Sequence, residues 1–220
     1  VDFYHKKTTN ILMYVPTSYA ITGEGYRWEN IGAMMNRGVE VAVDGNVIHT
    51  KDFTWNLSAN FSYNKNKLLE EYVNSTTGLK YMVGHPTTEF FLNRYAGVNP
   101  ANGDALWYTA DGELTTEFRQ EDKVMTGKTF DSPWAGGFGT TLVWKGLSLS
   151  AQFSWMAKRY LMNNDRFFEE SNGLYSAYNQ SKRLLYDRWK KPGDITDIPR
   201  YDVVAQLDDR FLENTSFLRL

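Results

Sequence analysis

The histidines and the paired carboxylates are the side chains of this sequence best suited to metal binding or catalysis. His5, His49 and His85 are far apart along the chain, so they would form a metal site only if the fold gathered them. Glu169-Glu170 and Asp208-Asp209 are adjacent pairs, whereas the two carboxylates of a hydrolase are brought together by the fold. We therefore predict that both pairs are solvated loop charges. With no cysteine and no nucleotide-binding, metalloprotease or nucleophile motif, the sequence assigns no catalytic residue, metal ligand or cofactor.

Aromatic residues are the second group of side chains that could serve a function. They make up 15% of the chain, as 14 Tyr, 13 Phe and 7 Trp. Aromatic side chains favour β-strands and also mark the interfaces of membrane proteins. A surface that stacks on sugar rings is a third explanation, and composition leaves all three open. Of the aromatic residues that lie outside the clearest strand patterns, we expect each of these six to pack the loops together or against a partner rather than to stack on a sugar: Trp107, Tyr108, Trp134, Tyr160, Tyr175 and Trp189.

Charge and hydropathy exclude several classes of protein. The formal net charge is −2 and the pI is about 6.0, so the chain has no excess of basic charge for binding nucleic acid. No apolar run approaches the roughly 20 residues of a membrane-spanning helix, but barrel strands alternate polar and apolar residues and remain compatible. The chain begins at Val1 without the features of a signal peptide and ends at Leu220 in a strand-like pattern. We therefore expect both ends to be cuts through a longer protein.

Strands must position these groups, and residues 53–64 form the clearest one. The odd positions are Phe53, Trp55, Leu57, Ala59, Phe61 and Tyr63, and every even position is Thr, Asn or Ser. Strict alternation predicts a strand with one apolar and one polar face. At about 3.3 Å per residue and a tilt of about 45°, this strand rises roughly 28 Å, close to the apolar band of an outer-membrane barrel. Aromatic residues toward both ends of the apolar row match two membrane interfaces.

Further segments repeat the pattern. Residues 147–155 place apolar side chains on one face: Leu147, Leu149, Ala151, Phe153 and Trp155. Residues 137–144 do the same with Phe138, Leu142 and Trp144. Lys145-Gly146 joins the two segments, which predicts a tight hairpin because Gly supplies a positive φ.

Residues 38–49 predict another strand, with Val39, Val41, Val43 and Val47 on one face and Glu40, Asp44 and Asn46 on the other. Two carboxylates on one face are hard to bury in a soluble core, whereas a water-filled lumen accommodates them. Residues 1–15 and 216–220 are expected to be strands as well.

The connections alternate in length. Short turns lie at 50–52 and 145–146, and long connections lie at about 16–36, 65–136 and 157–215. Bacterial barrels have short periplasmic turns and longer extracellular loops, so we place the short turns in the periplasm and the long connections outside the cell. Near-helical spacing of Leu174, Tyr178, Leu185 and Trp189 predicts a surface helix over residues 174–189, ended by Pro192-Gly193.

Five phrases of the sequence resemble, in order, motifs of the SusC/RagA family of TonB-dependent outer-membrane transporters. They are MNRGVEV at 35–41, YAGVNPANGD at 95–104, SPWAGGF with WKGLSL over 132–149, RW with PGD and IPR over 188–200, and NTSFLRL at 214–220. The resemblance covers residues 1–220. It implies an all-β fold, namely an antiparallel transmembrane β-barrel of roughly 22 strands of which this chain supplies about six. It also implies long extracellular loops, one with a short helix, and a plug domain and final strands outside the chain.

The same resemblance implies a location and partners. The whole protein would lie in the bacterial outer membrane in contact with lipid and import an oligosaccharide or a peptide. TonB would supply energy through an N-terminal region outside this chain, and a SusD-like surface lipoprotein would cover the barrel. The resemblance implies no catalysed reaction, and the substrate-binding residues stay unassigned. A soluble carbohydrate-binding β-sandwich and a passive porin are the alternatives. Folding in plain buffer would indicate the sandwich, and the lack of a plug upstream of Val1 would indicate the porin.

Overall fold

The computed structural model describes residues 1–16, 26–30, 32–70, 72–73, 80–81 and 83–220. The chain divides into two compact units. The first unit, the strand unit, comprises Val1–Glu89, Lys128–Tyr160 and Asn214–Leu220. The second, the loop unit, comprises Phe90–Gly127 and Leu161–Glu213, which belong to two of the predicted long connections.

The described residues contain strands β1 to β17. In chain order they are Asp2–Thr9, Leu12–Pro16, Tyr26–Asn30, Ala33–His49, Phe53–Leu68, Tyr72–Val73, Lys80–Tyr81, Glu89–Leu92, Arg94–Val98, Ala105–Tyr108, Leu114–Thr115, Val124–Thr129, Trp134–Trp144, Leu147–Ala157, Tyr160–Met162, Leu212–Asn214 and Phe217–Arg219. Two short α-helices lie between β15 and β16, α1 at Asn164–Glu169 and α2 at Arg183–Tyr186. No helix among the described segments has the length and apolar character needed to cross a membrane.

The strand unit is built on a six-stranded sheet with the order β1-β4-β5-β13-β14-β17. Every neighbouring pair is antiparallel, and the order along the sheet is the order along the chain. This is an up-and-down arrangement, and it confirms the predicted antiparallel all-β fold and the estimate of about six barrel strands. Strands β4 and β5 have 17 and 16 residues, far above the five or six that are usual in soluble proteins.

Tight turns join the paired long strands. Lys145 and Gly146 have φ values of 46° and 87°, the positive values that a two-residue hairpin turn of type I′ requires. Residues 50–52 join β4 to β5, and the Thr50 hydroxyl both accepts from the Phe53 N–H and donates to the Phe53 carbonyl. Since the other connections between sheet strands span residues 10–32, 69–133 and 158–216, the predicted alternation of short and long connections is confirmed. We call the two ends of the sheet the short-turn end and the long-loop end.

A β-bulge corrects the predicted face of Val47. The register of β4 against β5 shifts between Asn46, which lies opposite Asn56, and Ile48, which lies opposite Trp55. One extra residue reverses the alternation, so Ile48 takes the place on the Trp55 face that the sequence pattern gave to Val47. The polar face predicted for Glu40 and Asp44 is confirmed, because they lie opposite Ser62 and Ser58.

The single strand predicted over residues 1–15 is two strands. Strand β1 ends at Thr9, Asn10 has a left-handed φ of 56°, and β2 then pairs with β3 instead of extending the main sheet. Asn adopts this conformation more easily than most residues, so it supplies a break that strand periodicity does not show.

The helix predicted over residues 174–189 is wrong in its extent, since only α2, four residues long, lies within that range. Residues 171–180 form turns instead. The Gln180 side-chain amide donates to the carbonyls of Tyr175 and Tyr178, and Gly173 has a φ of 108°. Leu185, one of the four residues that suggested a helical face, is 64% exposed, whereas its neighbour Leu184 is buried. The helical spacing therefore did not correspond to a buried face.

Candidate functional site

The sheet of the strand unit has one continuous apolar face. Residues directly opposite each other in an antiparallel pair share a face. The register places the odd residues of β5 opposite the even residues of β13, and these opposite the odd residues of β14. Within the described part of this unit, nothing covers the large side chains on that face: Leu147 is 70% exposed and Leu149 is 64% exposed.

Aromatic residues gather at the long-loop end of the apolar face. The Trp134 ring lies 4.2 Å from the Tyr63 ring and 5.7 Å from the Phe61 ring, measured between centroids, and Phe61 lies 6.2 Å from Trp155. Gly136 allows the Trp155 ring to lie against the backbone, because a Cβ there would come within 2.8 Å of it. We call Phe61, Tyr63, Trp134 and Trp155 the upper aromatic group.

A second set of aromatic residues lies at the short-turn end, where Phe53 is opposite Trp144 and Trp144 is opposite Leu147. Nearby, the Trp55 indole N–H donates to the Thr140 hydroxyl over 2.9 Å. Phe53 and Tyr63 are ten residues apart, about 33 Å along a strand and roughly 23 Å in height at a 45° tilt. Two aromatic belts at this separation bracket an apolar band close to the roughly 25 Å band of an outer-membrane barrel.

The opposite face of the sheet is polar and internally hydrogen-bonded. The Tyr4 hydroxyl donates to Asn64 over 3.0 Å, and the Asn64 and Asn66 amides both donate to the Asn36 side-chain oxygen. Gly38 makes room for the Tyr4 ring, because a Cβ at this position would come within 2.5 Å of the Tyr4 hydroxyl. Polar side chains that satisfy one another in this way suit a water-filled lumen.

The loop unit is organised around Asp208, which is fully buried. The Trp107 indole N–H donates to one Asp208 carboxylate oxygen over 2.8 Å, and the Arg210 backbone N–H donates to the other over 3.1 Å. The Arg210 guanidinium lies 4.4 Å from the Tyr95 ring and 4.6 Å from the Phe211 ring. Burial raises the pKa of the Asp208 carboxyl, although Arg210 and the Trp107 hydrogen bond act in the opposite direction. This cluster fastens residues of one long connection to residues of the other.

An ionic network lies within the second of these long connections, residues 158–216. The Arg183 guanidinium donates to Glu170 over 2.6 Å and to both oxygens of Asp197 over 2.8 Å. Arg166 donates to Glu170 over 3.1 Å, and Glu170 is buried. Burial acts to raise the pKa of Asp197, but the hydrogen bonds and charge of Arg183 outweigh it, so that pKa is lowered. The Asp197 hydrogen bonds raise the pKa of Arg183.

Two of the sequence phrases, YAGVNPANGD and the phrase with RW, PGD and IPR, pack together around the Pro100 carbonyl. That oxygen accepts from the Trp189 indole N–H over 3.1 Å and from the Gly193 backbone N–H over 2.8 Å. Gly103 has a φ of 79°, and a Cβ there would come within 2.4 Å of the Trp189 ring. Arg200 closes the cluster, because its side chain donates to Asp104 over 3.0 Å. The YAGVNPANGD phrase and the phrase with RW, PGD and IPR are therefore parts of one packed joint.

The prediction that both carboxylate pairs are solvated loop charges is wrong for three of the four residues. Glu170 is buried and bound by two arginines, and Asp208 is buried and bound by Trp107 and Arg210. Asp209 also has a structural role, because it accepts the Tyr95 N–H over 2.8 Å. Only Glu169 is exposed as predicted. Sequence adjacency did not show these partners, since Trp107 and Tyr95 lie on another long connection.

The loop aromatics have mixed positions. Trp107 is 4% exposed and packs against the rings of Tyr95 and Phe118, and Tyr175 packs against Phe167 and Phe168, as expected for loop packing. Trp189 covers Gly103. Trp134 lies in β13 within the upper aromatic group, and Tyr160 lies in β15 below the Lys128 ammonium. Tyr108 is 36% exposed, with the Arg94 guanidinium 5.3 Å from its ring.

The histidines occupy unrelated positions in the strand unit. His5 lies opposite Arg37, the His49 ring is 3.4 Å from the Thr54 hydroxyl, and the His85 ring is 2.9 Å from a Glu89 carboxylate oxygen. Over the residues that the structure describes, no group of three or more His, Asp or Glu side chains is arranged to hold a metal ion.

Known proteins share this sequence and fold. Residues 1–204 match the sequence model of the family described as TonB dependent receptor-like, beta-barrel. The TonB-dependent receptor SusC of Bacteroides thetaiotaomicron is 29% identical over an alignment that covers 100% of this chain and 23% of SusC. The TonB-dependent receptor P39 of Formosa agariphila is 24% identical over 92% of this chain and 24% of that receptor.

A solved structure agrees. The structure of the RagAB peptide transporter matches with a TM-score of 0.87 and 34% identity over 99% of this chain and 25% of the matched chain. This chain thus spans about a quarter of the length of its relatives. Proteins of this family lie in the outer membrane of Gram-negative bacteria. From its sequence phrases, its up-and-down sheet and these matches, the chain belongs to the β-barrel family of TonB-dependent receptors, of the SusC/RagA type.

Proposed function

We propose that the chain forms part of the barrel wall and part of the surface loops of a TonB-dependent nutrient importer. The observation that carries this proposal is the uncovered apolar face of the six-stranded sheet, bracketed by two aromatic belts. In a soluble β-sandwich a second sheet covers such a face, and among the described strands none does so. Lipid tails are the environment in which exposed leucines with an alternating polar face are stable.

On this proposal the chain is the late part of the barrel of a longer receptor. The polar face lines the lumen, the short-turn end faces the periplasm, and the long-loop end faces the outside of the cell. Further strands lie elsewhere in the full-length protein, because six strands leave an open sheet edge whose unpaired backbone groups each cost several kcal/mol in lipid. We expect a plug domain there as well, because the chain resembles TonB-dependent transporters.

Energy and substrate capture come from partners. We expect TonB to act through an N-terminal region of the full-length protein, and a SusD-like surface lipoprotein to cover the long connections. The cargo is an oligosaccharide or a peptide, and the name of the RagAB peptide transporter supports the peptide. Import of this kind changes the location of the cargo and requires no catalysed reaction.

The loop unit carries a groove suited to contact with such a cargo. A surface cavity of about 740 Å³ lies among residues 186–197, within the range of small-molecule binding sites. Its lining combines Tyr186 and Ile195 with the side chains of Arg188, Lys190 and Asp194. Apolar contact beside charges of both signs suits the side chains and termini of a peptide.

Membrane fractionation and uptake together test the proposal. The full-length protein should be recovered in the outer membrane, and cells that carry it should take up a labelled oligosaccharide or peptide mixture that a deletion strain does not. Uptake should stop when TonB is deleted. Recovery in a soluble fraction would refute the membrane placement, and uptake that persists without TonB would indicate a passive porin.

A further inference from the structure

Basic side chains form a row on the apolar side of the sheet, just beyond the upper aromatic group. His5 lies directly opposite Arg37, and Arg37 lies directly opposite Lys65. Two residues further toward the long-loop end, Lys7 and Lys67 flank Met35 in the same way. We call these five residues, on three adjacent strands, the basic row: His5, Lys7, Arg37, Lys65 and Lys67.

Among the described residues, no side chain neutralises this row. Within the described part of the chain, none of the five side chains takes part in an ion pair or a hydrogen bond, and four of them are exposed. The same face of these strand segments carries Thr, Ala and Met in its other positions and no carboxylate. Like charges directly opposite each other in a sheet are destabilising. An external anion would remove this repulsion.

The height of the row identifies where that anion would be. Arg37 and Lys65 lie two residues beyond Val39 and Tyr63, so they are about 7 Å further along the strand and roughly 5 Å higher at a 45° tilt. The polar layer of a membrane extends about 5–7 Å beyond the hydrocarbon core on each side. Tyr63 and Trp134 mark the edge of the apolar band, so the basic row falls in the head-group layer.

The short-turn end differs. Its turns carry Lys51 next to Asp52, and Lys145, whose ammonium lies 5.8 Å from the Trp144 ring. Acidic and basic charges are mixed there, and no comparable row of cations exists among the described residues of the two turns. Because only the long-loop end carries a row of cations, we expect the row to meet only one leaflet of the membrane.

We propose that the basic row binds the phosphate groups of anionic lipids in the membrane leaflet at the long-loop end. This inference rests on the proposed membrane function. Arg37 in the centre is able to donate two parallel hydrogen bonds to one phosphate, and the lysines act as compact charges on either side. The bound lipid would hold adjacent strands together at the outer rim of the barrel.

Two triple variants of the full-length protein test the proposal. The first replaces cations of the row, Arg37→Gln, Lys65→Gln and Lys67→Gln. The second removes the same charge elsewhere, Lys6→Gln, Lys51→Gln and Lys145→Gln. Lys6 is a close control, because it lies between His5 and Lys7 in sequence but opposite Asn36 on the polar face. Each protein is placed in phosphatidylcholine nanodiscs with or without phosphorylated lipid A, and retained lipid A is counted by native mass spectrometry.

We expect wild type and the control variant to retain lipid A. Each basic residue near an anionic surface strengthens binding about fivefold, so the first variant should bind roughly a hundredfold more weakly. Lipid A stripped of its phosphates should not be retained by any of the proteins. Equal retention of lipid A by both variants, or retention of the phosphate-free lipid, would overturn the proposal. It would also be overturned if inorganic phosphate alone protected the protein from thermal unfolding as well as phosphorylated lipid A does. Recovery of all three proteins from the outer membrane keeps this outcome separate from a failure of the proposed function.

Discussion

A single charge placed on either face of β5 gives the most direct test of the sheet's orientation. Ala59 lies on the apolar face between Val43 and Phe138, and Asn60 follows it on the polar face. Ala59 is four residues from Tyr63 and six from Phe53, which places it roughly 9 Å and 14 Å in height from the two aromatic belts. An arginine at Ala59 therefore enters the middle of the apolar band, whereas an arginine at Asn60 enters the lumen.

The expected difference is large. Arginine on the lipid face of a barrel near the midplane costs about 2–4 kcal/mol, so Ala59→Arg should lower the free energy of unfolding by about that amount. Asn60→Arg should change it by no more than about 0.5 kcal/mol, as is usual for water-exposed positions. Full-length protein refolded into lipid vesicles is titrated with denaturant, and the folded fraction is measured from its migration on unheated gels. Equal costs for the two variants, or a larger cost for Asn60→Arg, would refute the assignment of the faces.

The loop unit supports three further predictions. Gly103→Ala should make the loop unit markedly more sensitive to limited proteolysis, because the new Cβ would collide with the Trp189 ring. Gly112 has a similar positive φ but an open site, so Gly112→Ala should cost about 1–3 kcal/mol from backbone strain alone. Trp107→Phe leaves a buried Asp208 oxygen without its donor, and should destabilise the unit by about 1–3 kcal/mol as measured by hydrogen exchange; an unchanged exchange rate would contradict this. Burial raises the pKa of Asp208, so this carboxyl binds its proton more tightly in the folded unit than in the unfolded chain. The contribution of Asp208 to stability therefore falls as pH rises above about 4. The stability difference between wild type and Asp208→Asn, measured by proteolysis at several pH values, should therefore shift in favour of the variant with rising pH, and a pH-independent difference would disprove it.

Strands β4, β5, β13 and β14 were predictable from the sequence because each carries its own signal. Alternation from Phe53 to Tyr63 defines both faces without reference to any other segment, and Lys145-Gly146 specifies its turn locally. The bulge before Ile48 was not predictable, since both Val47 and Ile48 are apolar and only the pairing with Trp55 decides between them.

The loop unit was far less predictable because long-range contacts determine it. Asp208 is buried by Trp107, which is about a hundred residues away in sequence, and no local pattern around either residue shows the pairing. The helix predicted around Leu185 was wrong in extent because its spacing did not mark a buried face: Leu185 is exposed, and its neighbour Leu184 is buried. The YAGVNPANGD and RW-PGD phrases were recognisable in the sequence as motifs of the SusC/RagA family. Only the structure shows that they meet at Pro100.

The contacts around Asp208 and around Pro100 join the two long connections, and this has a consequence for engineering and for divergence among relatives. Each of the two long connections supplies half of the joint, with Trp107 and Pro100 on one and Asp208 and Trp189 on the other. A chimera that received residues 90–127 alone from a distant relative would present an ill-matched half to residues 161–213. The binding specificity of the surface loops should therefore be transferable between receptors only when residues 90–127 and 161–213 are exchanged together. Recombination that separates the two segments should produce a misfolded loop unit.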